Sequence, residues 1–510
     1  MDSYVTLGNR EMTLESLESV ARKGVGADLS AAAETKIKRA RTLVEQWVRE
    51  GRSIYGVTTG FGALSDVSIS KKDTERLQTN ILMSHAAGVG TPFDPEIVRA
   101  MMVLKLNDFS LGHSGIRPKT ARNLCHLLNS GVVPVVPDKG SVGASGDLVP
   151  LAHMALVLIG KGEALVRNKR VSGLDALKGC SLVPLCLGSG EGLALVNGTQ
   201  AMTAVGCLAL VDAVNLLKHA DIAACMSLEV LMGSRTEFDP RIHQVRPHKG
   251  QIRTADNMLR ITADSEIISS HRDCSRVQDA YTLRCSPQVH GAVKDCLDNG
   301  RKVLEVEINS ATGNPLIFPD QGDFLLGGNF HGEPVAFALD FMGIAVAEVA
   351  NISERRIERL VNPKLSGLPA FLVKDNGLNS GFMIAQYTAA SLVSENKVLS
   401  HPASVDSIPT SANKEDHVSM GTIAARKARQ IVENAENVIA IELMSAAQGL
   451  DLFTNLKPGK GARAAYDVIR KHVAYLEEDR ILATDIGVVR NLIRDGSILA
   501  AVEAAIGALA

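Results

Sequence analysis

The chain has 510 residues and a mass of 54.3 kDa, enough for about three domain-sized units or fewer large ones. Hydrophobic residues make up 45% and charged residues 22%, the balance of a folded globular chain and not of a disordered one. Lys+Arg at 54 against Asp+Glu at 56 leave a formal charge of -2, with no basic field to hold a nucleic acid. The densest basic stretch, Arg246-Pro247-His248-Lys249 with Arg253 nearby, is short and reads as a solvated loop. Eight cysteines without a CxxC pair, and a start at Met1-Asp2-Ser3-Tyr4 with neither a basic nor an apolar leader, predict a cytoplasmic protein.

In chain order, the first break in helical patterning is Tyr55-Gly56-Val57-Thr58-Thr59-Gly60-Phe61-Gly62. The second is Gly140-Ser141-Val142-Gly143-Ala144-Ser145-Gly146-Asp147. Closely spaced glycines give such loops backbone freedom, and in a helical protein they invite a functional reading. After the second loop Asp147 can cap a helix that has Pro150 in its first turn and an apolar run from Leu151 to Ile159. A short ribbon is predicted at Ala164 to Val171 and a strand at Leu316 to Phe318. Apolar residues at helical spacing fill Gly192 to Leu231, Pro334 to Leu360, Ser380 to Leu399 and Met420 to Leu450. These lengths predict a mainly α fold, a bundle of long antiparallel helices, with a seam near residue 200 dividing 1–200 from 201–510. The most apolar windows, Ala201 to Leu217 and Val335 to Val349, carry Asp212 and Asp340 with Glu348, and read as core helices with no membrane span. The charge run Ser353 to Arg359 reads as a solvated or subunit-facing helix surface. Thirteen histidines make no HxxxH or HExxH pair, so no metal is expected.

The Gly140 to Asp147 loop fits three common glycine motifs poorly. A phosphate loop needs Lys and then Ser or Thr after its last glycine, where Asp147 and Leu148 stand. A nucleophile elbow needs glycine on both sides of the serine, and Asp147 occupies one of those places. A dinucleotide fingerprint needs a preceding strand and a βαβ unit. The segment instead resembles the signature of the histidine and aromatic amino-acid ammonia-lyases, and separated motifs from Tyr55 to about Leu452 follow that family's order. The resemblance implies an aspartase/fumarase-like helical fold. It also implies that Ala144-Ser145-Gly146 cyclises unaided into 4-methylideneimidazol-5-one (MIO), with no dissociable cofactor. Small residues suit that ring, because the Gly146 nitrogen must reach the Ala144 carbonyl carbon. Its exocyclic methylene is an electrophile that no unmodified side chain offers.

By the same resemblance Tyr55 removes the β-proton, Asn197 in Asn197-Gly198 lies beside the electrophile, and Gln278, Tyr281 and Arg284 contact substrate and electrophile. Arg284 would clamp the substrate carboxylate bidentately. Phe330, in Asn329-Phe330-His331, lines the pocket. Two positions depart from the family pattern: Ala280 stands where Pro is commoner, and Gly313 where Asp usually precedes Asn-Pro. Substrate choice is read at Ser84-His85 and at Glu415. A histidine at 85 is compatible with either a phenol or an imidazole. A carboxylate at 415 can accept from an imidazole N–H, whereas beside a benzene ring it would be an unpaired buried charge. L-Histidine is therefore the expected substrate and trans-urocanate with ammonia the expected products, through attack on the electrophile by either the amine or the ring. Tyrosine elimination and 2,3-aminomutation on the same scaffold, or a scaffold without activity, are the other readings. The resemblance further implies a homotetramer whose sites draw loops from more than one subunit.

Overall fold

A computed structural model describes residues 4–64, 69, 73–272, 274 and 277–510. Among them are 21 α-helices and only short strands, so the fold is mainly α, as the apolar spacing predicts. Two compact units are present. The first comprises Met1–Leu208, Arg301–Asp340 and Pro402–Arg426, and the second Ala209–Gly300, Phe341–His401 and Lys427–Ala510. The division is thus not the continuous one expected at residue 200, because two later segments return to the first unit. Long-range returns of this kind leave no local pattern in a sequence.

In the first unit, helix starts carry the expected chemistry. Thr13 and Ser16 form a reciprocal capping box ahead of Leu14–Arg22, and the Ser30 hydroxyl accepts from Ala33 N–H at 3.0 Å ahead of Ala31–Glu50. Pro95 and Pro118 open the next two long helices, where a missing N–H costs nothing. Pro95–Ser110 is buried without a break from Ala100 to Ser110, including Lys105, Asn107 and Asp108. The ribbon predicted at Ala164 to Val171 is present as Glu163–Val166 paired antiparallel with Lys169–Ser172, and Val132–Pro134 joins its other edge. Leu316–Phe318 pairs antiparallel with Asp323–Leu325.

The stretch expected as one helix from Gly192 to Leu231 is two, Glu191–Val196 and Gln200–Val230. Asn197 between them is extended (φ -89°, ψ 131°), and Gly198 has φ +131°, a value other residues rarely adopt. Gln200–Val230 and Glu333–Val361 are long and apolar enough, by length and composition, to cross a membrane; 78% and 56% of their most apolar windows are buried inside the protein.

The second unit corrects in part the reading of Ser353 to Arg359 as a solvated or subunit-facing surface: Arg355 is exposed, but other members of the run are not. Ser353 and Arg356 are fully buried and Glu354 nearly so. The Arg356 guanidinium donates to both oxygens of Glu442, at 2.5 and 2.9 Å, and Ser353 and Ser227 add hydroxyl donors at 2.6 and 2.8 Å. Charge runs look alike in sequence whether they face water or a buried partner, and here the partner is 86 residues away. A second buried cluster joins Asp221 to His290 at 2.8 Å, Lys294 at 2.7 Å and Asn257 at 2.8 Å.

Glu229, near the end of Gln200–Val230, is buried with its carboxylate facing the Gly459 N–H at 2.9 and 3.1 Å. Burial pushes its pKa up to about 8, and the Gly459 donor only partly offsets this. A raised carboxyl pKa means that the folded state holds a proton the unfolded chain has released. The contribution of Glu229 to stability is therefore fully present below about pH 4.5 and lost as pH rises towards about 8. Glu229→Gln should flatten that slope, seen as a smaller fall in Tm across this pH window than the parent chain shows.

Candidate active site

The loop Gly140 to Asp147 is held in the first unit by backbone pairing that only glycine permits. Gly146 (φ +73°) bridges Gly198 in parallel, and a Cβ on Gly146 would lie 2.1 Å from the Gly198 carbonyl oxygen. Asp147 N–H donates to that oxygen at 2.7 Å, and Gly198 N–H donates to the Ser145 carbonyl at 3.4 Å. The Asn197 side-chain amide donates to the same Ser145 carbonyl at 2.9 Å. The break between two helices thus presents two N–H donors to one carbonyl oxygen, an arrangement suited to charge developing there. Ala144 is buried against Val418 and Met420, and the Met420 N–H donates to the Val142 carbonyl at 3.0 Å.

Asp147 does not cap the helix it precedes, Leu148–Leu156, as expected from its position; its side chain makes no bond there. It reaches instead to the start of the next long helix and accepts Met202 N–H at 2.8 Å, together with hydroxyls of Ser141 at 3.0 Å and Thr422. Burial raises its pKa and these donors oppose the rise. Beneath Asn197, the fully buried Lys105 ammonium donates to the Asn197 backbone carbonyl at 2.7 Å and to Asp108 at 3.1 Å. Burial lowers the Lys105 pKa and Asp108 counters it. Among the described residues, no partner reaches the buried Asn197 Oδ1.

Glu415 faces the loop from the other side. Its Oε1 accepts from the Ser145 hydroxyl at 3.1 Å, and its Oε2 accepts from Thr410 Oγ1 at 2.9 Å. The same carboxylate is felt by two further candidates. Tyr55 is partly buried, and its phenol oxygen accepts Gly62 N–H at 2.9 Å. Burial pushes its pKa up, the Gly62 donor pulls it down, and Glu415 adds to the rise. The lowering that a phenolic base needs is thus only begun by this loop. His85, the last residue of Thr74–His85, has its ring 4.9 Å from that of Phe61 and its Nδ1 3.0 Å from Ser84 Oγ. Burial lowers its pKa, against the Ile81 carbonyl and Glu415, which raise it. Gln78 ties the parts together, donating to the Gly56 carbonyl at 3.1 Å and accepting Gly192 N–H at 2.8 Å.

Phe330 is half-buried in the turn after Gly327-Gly328, next to His331, whose ring stacks at 5.3 Å on His417, two residues beyond Glu415. Gln278, Tyr281 and Arg284 belong to the second unit. Gln278 is exposed and Tyr281 is 72% exposed, with the Arg284 guanidinium 4.7 Å above the Tyr281 ring. Ala280 has φ -62° and ψ 151°, the geometry proline itself would take, so the departure there leaves the backbone unchanged. A Cβ on Gly313 would meet only Asn197 Oδ1, at 3.9 Å. Glycine at 313 therefore leaves space on this side of the amide oxygen, and Gly313 itself lines a small cavity with Asn314, Ser114 and Asp108.

Sequence reasoning passed over Lys105, Gln78 and Thr410. Lys105 had a signal: it is the lone cation in the apolar run Met101 to Phe109. Gln78 had none, since its partners Gly56 and Gly192 are distant in the chain; Thr410 stands five residues from Glu415, but nothing in its residue type marks the contact.

The chain matches the family model described as aromatic amino acid lyase over residues 12–471. It is 55% identical to a histidine ammonia-lyase of Alkaliphilus oremlandii over 98% of this chain and 99% of that protein. It is 54% identical to one of Gloeobacter violaceus over 100% and 99%. Among solved structures it resembles histidine ammonia-lyase from Trypanosoma cruzi, with 44% identity, a TM-score of 0.91 and coverage of 99% and 96%. It also resembles tyrosine aminomutase from Streptomyces globisporus, with 38% identity, a TM-score of 0.93 and 98% of each chain covered. The chain belongs to the aromatic amino acid lyase family, and it is an enzyme of that class.

Gly146→Ala should disrupt this centre, because the new Cβ would collide with the Gly198 carbonyl and the φ of +73° suits glycine alone. A loss of about 2 kcal/mol or more is expected, measured as the shift in the urea midpoint.

Proposed function

We propose that this lyase eliminates ammonia from L-histidine to give trans-urocanate. The observation that carries the reading is Glu415, whose carboxylate bonds the Ser145 hydroxyl and acts electrostatically on both Tyr55 and His85. Two histidine ammonia-lyases at 54 and 55% identity over nearly the whole chain support it. A benzene ring in the same place would offer that carboxylate no hydrogen-bond donor, whereas an imidazole N–H supplies one.

The residues fit a 4-methylideneimidazol-5-one made from Ala144, Ser145 and Gly146. Ala144 is small and buried, Gly146 sits where a Cβ has no room, and the Ser145 carbonyl already has two N–H donors. Such a group supplies an electrophilic exocyclic carbon. Asn197, with its carbonyl held by Lys105, keeps its amide on the Ser145 oxygen and stabilises negative charge there. Glu415 and His85 hold the substrate imidazole, and a carboxylate at 415 favours its protonated form. Tyr55 takes the β-proton on its phenol oxygen, with the Gly62 N–H supporting the charged form. Arg284 fixes the substrate carboxylate, Gln278 and Tyr281 complete the polar contacts, and Phe330 bounds the pocket.

We assign a homotetramer in which Gln278, Tyr281 and Arg284 reach the site of another copy. In support, Phe337, Phe341 and Ile344, one helical face of Glu333–Val361, are 55, 52 and 43% exposed, and Tyr281 is open to a partner. Cytoplasmic residence, without membrane or nucleic-acid partners, fits the composition.

Glu415→Gln should lower kcat with L-histidine about a hundredfold, read from the near-ultraviolet absorbance of urocanate. Retained turnover would overturn the assignment of Glu415, and parallel assays with L-tyrosine separate elimination or aminomutation of that substrate from the histidine reaction. An intact mass short of the sequence by two waters checks the ring.

A further inference from the structure

Between Thr410 and Glu415 the chain makes a turn of unusual handedness. Ser411, Ala412 and Asn413 have φ of +52°, +51° and +65°, three consecutive non-glycine residues in the left-handed region. The turn is closed by Thr410 N–H to the Glu415 carbonyl at 2.9 Å, Glu415 N–H to the Thr410 carbonyl at 3.3 Å and Lys414 N–H to the Ser411 carbonyl at 3.1 Å. Backbone of this kind persists only where its surroundings over-determine it, and it gathers at functional sites. Its result here is the direction of one hydroxyl. Ser411 Oγ reaches the tyrosine loop and accepts Ala63 N–H at 3.1 Å.

The neighbouring amide does something different. Gly62 N–H donates to the Tyr55 phenol oxygen at 2.9 Å. Two successive N–H groups are therefore divided between the phenol and Ser411, and the peptide that carries them has φ +57° at Gly62. Ser411 also occupies the space a side chain at 62 would need, since a Cβ on Gly62 would lie 2.6 Å from Ser411 Oγ. Glu415, four residues on, meanwhile bonds the Ser145 hydroxyl. One short turn thus touches the loop of the phenol and the loop of the electrophile.

We propose that Ser411 is a positioning residue for Tyr55: its hydroxyl pins the Gly62–Ala63 peptide so that the Gly62 N–H stays on the phenol oxygen, in register with Glu415. The inference rests on the assignment of Tyr55 as the base. It predicts that Ser411 acts on the chemical step and leaves substrate binding alone, because the groups assigned to the imidazole and the carboxylate do not depend on the Ala63 contact.

The test compares Ser411→Ala, Tyr55→Phe and the parent chain in the full-length protein with L-histidine. For Ser411→Ala, kcat should fall at least about tenfold with KM within about twofold, a split that general loosening of the fold would not produce. The intact mass should still be short by two waters, which separates an effect on Tyr55 from failure to mature. Gly62→Ala attacks the same contact from the loop side and should give the same split, so the inference stays testable if Ser411→Ala does not fold. A Ser411→Ala protein with parental kcat, beside a Tyr55→Phe protein that has lost about a hundredfold or more, overturns the role of Ser411 and leaves the base in place. Parental activity in Tyr55→Phe overturns the base assignment itself, and this inference with it.

Discussion

Backbone pairing between Gly146 and Gly198 is the constraint on which the rest depends. Two chain segments 52 residues apart approach so closely that Gly146 has no room for a Cβ, which would stand 2.1 Å from the Gly198 oxygen; at Gly198 the space is taken by the Gln200 side chain, 2.4 Å away. That approach requires the helical stretch after Glu191 to break at Asn197, which frees an N–H, a carbonyl and an amide side chain in the middle of an apolar core. Each freed group then needs a partner. Ser145, Asp147 and Lys105 supply them, and in doing so they orient the loop. Catalytic geometry and backbone satisfaction are here the same problem with one solution.

Buried charges recur around this solution and follow a common rule. Lys105 is held by Asp108 and a carbonyl, Asp147 by two hydroxyls and an amide, and in the second unit Arg356 by Glu442. A buried ion is tolerable when every lone pair or proton has a partner, and removing one partner exposes the full desolvation cost of the other. Among the described residues Asn197 Oδ1, like Gln200 Oε1, is buried without a partner, and Gly313 leaves space beside it.

The sequence was most readable where chemistry is local. Helical spacing gave Pro334 to Leu360 and Met420 to Leu450 to within a residue or so of Glu333–Val361 and Gly421–Leu450. Ala144-Ser145-Gly146 and Tyr55 on its glycine loop were singled out by their resemblance to family motifs, since the small residues alone fit a tight turn equally well. What could not be read depends on distant partners. Asp147 looked like a cap for the helix it touches in sequence and serves the one starting near Met202. Arg356 looked solvated and is paired 86 residues away. The break at Asn197-Gly198 lay between these cases: a polar pair inside an apolar helix signals an interruption, but only the Gly146 contact says why it is there.

The electrostatics of the site follow from the same burial. Tyr55 and His85 are both driven towards their neutral forms by loss of water, the phenol upward in pKa and the imidazole downward. Glu415 is the charged group that both feel, and it opposes ionisation of Tyr55 while favouring protonation of His85. If Tyr55 is the base, as proposed, those two effects compete, because the site then has to ionise a phenol. On the proposed reading the competition is relieved by what enters: an amino acid brings an ammonium and a protonatable imidazole next to Glu415, cancelling the charge that burdens Tyr55. The phenol then becomes a competent base only when substrate is in place. An amide donor from Gly62, held by the turn that carries Glu415, supplies the remaining stabilisation at the atom that receives the proton.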